Sequence, residues 1–489
     1  MNSQQIIPTA IYLFLALAAG AFLVMILAAA LHAETRYRGF ILPAVFPIVA
    51  AGIAASVLLS GRNLAVVSLV GFGRGSSNPD LSVEASGAAT WPLRLFTLYI
   101  LATSFALIFG TWARRDKLRK PGIGLIVAFF GFFISNVALS SAFGTEPYFQ
   151  INHFYPVVVF LAVFLCREQP AKHVILAGKI ALLIVLVGSL IVLVVKRELV
   201  LQQPYMEGWI PILNVRLWGL ASHANSIGPL ALLYLLLEIH SPFKDRIIHF
   251  STLVVALTVV VLAQSKTVWL VGIFLALVFC GFSGLQKGRI AFRSGTKYSN
   301  VIGVLIVVLI CVALSLTFLL FGDAEKYVDI FDRSVAGQQL LSLSGRSQIW
   351  TVAIRVWEQN PMFGYGPRLW DPAFRQSIGM NFASHAHNQF LQSLSSAGAL
   401  GLMGTICYLL TLGSYAFKLA RQTAGFTLVL WLFLFIRCVT EIPLSTGTIF
   451  NGDFLAHLLI FAYFTRIAAD SPVAAHRFTN QALPIFRSA

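Results

Sequence analysis

Two histidines, His385 and His387, and four arginines, Arg346, Arg355, Arg368 and Arg375, fall together in one polar stretch of an otherwise strongly apolar chain. Imidazole is the side chain whose ordinary pKa lets it take a proton from a hydroxyl near neutral pH. Guanidinium grips phosphate oxygens through two parallel N–H bonds, each charge-assisted bond contributing about 1.5 to 3 kcal/mol. The combination suits chemistry between a phosphate and a hydroxyl. A second group of the same types lies upstream in NVRLWGLASHANSIG, where Arg216 precedes His223 and Asn225. Lys266, in AQSKTVW, is either a third phosphate contact or an interfacial anchor.

Each of these residues also has a plainer reading. The arginines can reach lipid headgroups along their aliphatic stems, or pair with Asp332, Glu358 or Asp371. His385 and His387, with Asn388, can form a polar cap on the hydrophobic run that follows. A metal site is not expected, because the His-x-His pair has no third ligand nearby in sequence. The acidic run DAEKYVDIFD alternates with apolar residues and reads as a solvated helix face. Phe363 to Gly366, FGYG, follows Pro361 as a tight turn, with Gly364 and Gly366 placed either for close approach to a ligand or to end a helix.

The elements that must position these groups are membrane spans. Of 489 residues, 58% are apolar and 11% charged, a balance that excludes an ordinary soluble enzyme. A span needs about 20 mostly apolar residues. Thirteen segments qualify: 10–31, 40–60, 93–112, 121–142, 151–166, 180–195, 219–239, 247–264, 267–285, 300–321, 389–414, 424–441 and 452–467. The fold class is therefore an all-α polytopic membrane protein of about 12 to 13 transmembrane helices. The net charge of +16 comes from short basic clusters between the spans, among them Arg114 to Lys120 and Lys287 to Lys297. That distribution follows the positive-inside rule rather than nucleic-acid binding. It places the polar segments 61–92, 196–218, 322–386 and 442–451 on the outward face.

Within the largest outward loop, Trp350, Ile354 and Trp357 recur at i, i+4 and i+7, which predicts a helix lying along the interface with Arg346 at the lipid boundary. The chain divides into a first part of the bundle at 1–321, the loop at 322–386, the last part of the bundle at 387–470 and a cytoplasmic tail at 471–489. The five cysteines all lie in apolar runs and suggest neither disulfides nor zinc.

His387, Asn388, nine intervening residues, Gly398, two more and Gly401 match a pattern of the bacterial O-antigen ligase family, which includes O-antigen and exopolysaccharide polymerases. The preceding Gly345, Arg346, Trp350, Pro361 and Gly364-Tyr365-Gly366 resemble that family's large periplasmic loop, and Arg216, Asn225 and Lys266 resemble it more weakly. The resemblance implies a GT-C-like glycosyltransferase of the inner membrane, working on the periplasmic face without metal or cofactor. Its donor would be an undecaprenyl-pyrophosphate-linked glycan, and its acceptor a glycan or lipid A-core hydroxyl. Carried over by position, His387 would be the general base, with Arg216 and Arg346 neutralising the departing pyrophosphate. His385, Asn388, Lys266, Asn225, His223, Gly364 and Gly366 would line the substrate site, His223 as a second candidate base. The family's ligases show twelve spans with both ends inside, whereas thirteen with an outside start are read here. That departure favours a polymerase, with a ligase as the alternative. A lipid-linked-glycan flippase is the alternative of another class; it would need ionisable residues near the midplane, and Glu238, Arg437 and Glu441 lie near span ends.

Overall fold

The computed structural model describes residues 41–64, 90–113, 122–165, 170–205, 210, 213–291, 346–380 and 383–470, with 24, 25, 28 and 32. The expected span at 300–321, the tail 471–489, the acidic run and most of the first span lie outside the described residues, as do Arg114 to Lys120.

The remaining eleven expected spans coincide with helices: α1 Ile41–Leu58, α2 Trp91–Ala113, α3 Ile123–Phe143, α4 Tyr155–Leu165, α5 Ala171–Val195, α6 Ala224–His240, α7 Arg246–Ala263, α8 Lys266–Ala291, then α11 Gln389–Leu419, α12 Phe426–Thr440 and α13 Gly452–Ala469. Between them, α9 (Arg346–Gln359) and the single turn α10 (Pro372–Ser377) belong to the polar loop. Six helices are long and apolar enough to cross a membrane, and five shorter apolar ones accompany them. The axis of the bundle is α13, 83% of it buried, whereas α7 is only 17% buried and forms the rim. Phe454, Phe461 and Phe464 of α13 pack with Phe129 and Phe160 in one continuous core.

Three local irregularities set the geometry of the end of the bundle where α6 and α11 begin. A π-turn at Ile134–Ala138 within α3 brings Asn136 against α11, where its Nδ2 donates to Gly401 O at 2.9 Å. In α11 itself the helix breaks at Gly398, with φ 69° and ψ −165°. The break frees backbone groups, and the FGYG turn takes them up. Tyr365 N donates to Ser395 O and Gly366 N to Ser396 O, both at 2.9 Å, while Ala399 N donates to Pro361 O at 2.8 Å. A Cβ on Gly364 would lie 2.5 Å from Ala397 N, and one on Gly398 would lie 2.3 Å from Met362 C. Both glycines also have positive φ, so only glycine fits at either side of this joint. The third irregularity is a two-residue antiparallel ladder, β1 Leu201–Gln202 with β2 Arg216–Leu217, which holds the upstream loop across the end of α6.

The helix expected from Trp350, Ile354 and Trp357 forms as α9, and the adjacent stripe of the same spacing is the one packed against the protein. Ile349, Ala353 and Val356 are buried in a small separate core with Leu369, Trp370, Phe374, Ala383 and Ala386, and Ile354 is exposed. Trp350 braces the loop: its indole N–H donates to Ala386 O at 2.9 Å.

Candidate active site

Asn388 explains why the loop ends where it does. Its Oδ1 accepts from Phe390 N and Leu391 N, capping α11 at its start, while its Nδ2 donates to Val439 O near the end of α12. Gln389 adds a second tie, accepting from Leu444 N at 3.1 Å. These bonds draw the residue just before the cap, His387, against the residue just after α12, Glu441. His387 adopts φ 48°, a left-handed conformation uncommon for a side-chain-bearing residue. Its backbone N–H donates to His385 Nδ1 at 3.1 Å, and the two rings lie 3.9 Å apart.

Glu441 is the hub. Its Oε2 lies 2.9 Å from His387 Nδ1 and 3.8 Å from His385 Nε2. Its Oε1 accepts from Arg346 at 3.3 Å and from Asn225 Nδ2 at 3.0 Å. Asn225 passes the connection on, since its Oδ1 accepts from Arg216 at 2.9 Å. Arg216 also stacks over Tyr205, 4.9 Å from the ring centre. Residues from four separated stretches thus form one network: Arg216 and Asn225, Arg346, the histidine pair, and Glu441. Arg437 bounds it on one side, donating to Asn225 O and pairing with Asp453.

The charges decide which atoms carry protons. Burial alone would raise the Glu441 pKa, but the hydrogen bond from His387 and the positive surroundings that include Arg346 outweigh it, holding the carboxyl well below the usual range. Glu441 is an anion and can only accept, so His387 Nδ1 bears the proton of this contact, and in the neutral ring Nε2 keeps its lone pair. His385 is the converse. Burial and the neighbouring His387 push its pKa down to about 3, so it is neutral, and because Nδ1 accepts from a backbone N–H its proton sits on Nε2. His223 is likewise neutral, its pKa driven well down by burial and by Arg216, and its Nδ1 accepts from Asn225 N at 3.1 Å. Of these three rings in these tautomers, His387 presents a ring nitrogen, Nε2, with its lone pair unengaged.

His385 Nε2, His387 Nδ1 and a Glu441 oxygen all lie within 4.8 Å of one another, so the third donor that the His-x-His spacing lacked is supplied by α12's end. A cation seated there would have to displace the proton between His387 and Glu441 and the backbone bond to His385 Nδ1, beside Arg346.

The other expected residues fall at varying distance from the hub. Lys266 opens α8 between Ser265 and Thr267, which line a narrow cleft, its free space about 20 Å³, together with Asn225, Arg437, Thr440 and Glu441. Pro229, Leu232, Val268, Val271 and Phe433 form the apolar wall. Gly364 and Gly366 are not part of the network: their close approach is to the chain's own α11. Asn388 acts through its cap and its tie to Val439. The residue missed by the sequence reading is Glu441, whose position at a span end was the available signal.

No curated protein is found to match the chain. Residues 251–409 match the sequence profile described as O-antigen ligase, a stretch that includes Arg346, His385 and His387 but not Arg216 or Glu441, and the chain accordingly contains a domain of the O-antigen ligase family.

Proposed function

We propose that the protein is a glycosyltransferase of the inner membrane that moves a glycan from an undecaprenyl pyrophosphate carrier onto an acceptor hydroxyl, working at the periplasmic face as an O-antigen ligase. The observation that carries this reading is the His387 Nδ1 to Glu441 pair at 2.9 Å, which leaves Nε2 as the one free base among three neighbouring histidines. Arg346 and Arg216 flank the pair, so a proton acceptor and two phosphate-gripping groups share one hydrogen-bonded network. The basic clusters read from the sequence support an outward placement for this end of the bundle.

In the proposed step His387 Nε2 takes the proton of the acceptor hydroxyl as its oxygen bonds to the anomeric carbon. The bond from that carbon to the pyrophosphate oxygen breaks, and the electron pair leaves with undecaprenyl pyrophosphate. Glu441 stabilises the imidazolium that forms, and Arg216 and Arg346 meet the charge growing on the leaving group, where water is sparse and fixed cations act most strongly. No metal has a role in this scheme.

The profile's description favours ligation over the polymerisation that the span count suggested. A deletion strain separates the two by sizing of its glycans: loss of a ligase leaves long chains on the lipid carrier, and loss of a polymerase leaves single repeat units. The test of the chemistry is His387→Ala in purified protein given lipid-linked glycan and acceptor. It should bind donor and make no product; product at the wild-type rate would falsify the assignment of the base.

A further inference from the structure

His223 is not needed for the chemistry above, yet it is held with care. Its ring lies 4.2 Å from that of Trp218, whose indole N–H is fixed by Gln202 Oε1 at 3.0 Å. The loop beneath it is clamped by Arg62, whose guanidinium donates to the carbonyls of Leu199, Gly219 and Ala221 at 2.7 to 2.9 Å. His223 Nδ1 caps α6 by accepting from Asn225 N. These constraints fix both the ring plane and the tautomer. The Nε2–H that results makes no hydrogen bond to any described residue, and the ring is only partly covered. It stands two residues from Asn225, whose side chain holds Arg216.

Resting on the transfer reading above, we propose that His223 is a second catalytic histidine, a neutral imidazole that donates its Nε2–H to a phosphate oxygen of the lipid-linked donor beside Arg216. Two features support a donor role rather than a charge. Burial and Arg216 keep the ring unprotonated, so it delivers one directed N–H instead of a third cation. A neutral imidazole held by such surroundings polarises an oxygen without taking part in proton transfer. During the step the electron pair of the breaking carbon–oxygen bond moves onto the pyrophosphate. His223 keeps its proton throughout, and the hydrogen bond shortens as charge arrives.

The test separates this role from capping. In His223→Asn the side-chain oxygen still caps α6, because asparagine is a favoured N-cap, but the remote N–H is gone. In full-length protein, turnover with lipid-linked glycan should fall about a hundredfold, the size seen when one oxyanion donor is removed. Inhibition by inorganic pyrophosphate should weaken, the melting temperature should hold, and the acid limb of the pH–rate profile should stay in place. His223→Gln, which restores an N–H at a similar reach, should recover part of the rate. Two results overturn the proposal: His223→Asn with turnover and pyrophosphate inhibition within twofold of wild type, or His223→Ala impaired while His223→Asn is fully restored, which marks a cap alone. His387→Ala run in parallel keeps the two readings apart. If it is inactive while His223→Asn is normal, only the present assignment fails; if it is active, the base is wrong, and pyrophosphate inhibition still decides the contact of His223.

Discussion

Glu441 Oε2 and His387 Nδ1, 54 residues apart in the chain, meet at 2.9 Å, and this single contact sets which face of the imidazole is basic. Glu441→Gln replaces an obligate acceptor with a group that can also donate, so the ring can turn its lone pair inward. Turnover is expected to fall by roughly two to four orders of magnitude with the fold intact, as for other base–orienter pairs. Initial rates with saturating donor and acceptor check it; a loss below fivefold would remove Glu441 from the mechanism.

Arg346 touches Glu441 through one terminal nitrogen at 3.3 Å, and its side chain is 22% exposed, so the remainder of its fork is placed to take a phosphate. Arg346→Lys keeps the charge and loses the fork. The expected result is a drop of more than about tenfold in turnover. Near-normal turnover would make Arg346 a lipid anchor.

The same contacts predict how stability responds to acid. His385 has its pKa lowered from 6.5 to about 3, and His223 is lowered in the same sense. Between those values the unfolded chain binds protons that the folded chain refuses, so stability present above about pH 6.5 is lost as the pH falls. Glu441, also lowered, adds to the loss below its ordinary value of 4.5. The melting temperature in detergent should decline from pH 7 to pH 4, and His385→Asn should flatten the upper part of that decline. A melting temperature independent of pH across this window would contradict the assigned protonation states.

Divalent metals should be dispensable. Because the His385, His387 and Glu441 donors are committed to a proton and a backbone bond, extensive chelation should leave turnover within about twofold. Loss of activity on chelation, restored by one added metal, would reassign the three side chains as ligands.

Gly398→Ala should be far costlier than Gly379→Ala, although both positions have positive φ. The new Cβ at Gly398 would strike Met362 C and O at 2.3 Å, whereas at Gly379 it meets nothing within 4 Å. The first change should cost about 2 to 4 kcal/mol and the second about 1 kcal/mol. Comparison of thermal melts of the two variants decides it.

The spans were legible because a run of some 20 apolar residues has few other uses, and eleven of the thirteen expected segments are helices among the described residues. His387, Asn388, Gly398 and Gly401 were legible because their roles are local: a cap, a break and a close approach at fixed spacing. Glu441 was not. One carboxylate at the end of α12 has no nearby partner in sequence, and its meaning comes only from the ties of Asn388 to Val439 and of Gln389 to Leu444. For α9 the period predicted the helix and assigned Trp350, Ile354 and Trp357 to the membrane interface, and which stripe packs on the protein was not read. Ile349, Ala353 and Val356 share the spacing of Trp350, Ile354 and Trp357, and periodicity does not say which of two adjacent stripes meets the core. The small Ala353 allowed the tighter packing.

The network around Glu441 also bears on how this protein can be recombined with its kin. A graft of residues 251–409 alone would transplant the imidazole and one guanidinium while leaving behind the counter-anion at 441 and the partner cation at 216. Working hybrids should therefore have their crossover points outside Arg216 and Glu441, so that all four pieces travel as one inheritance.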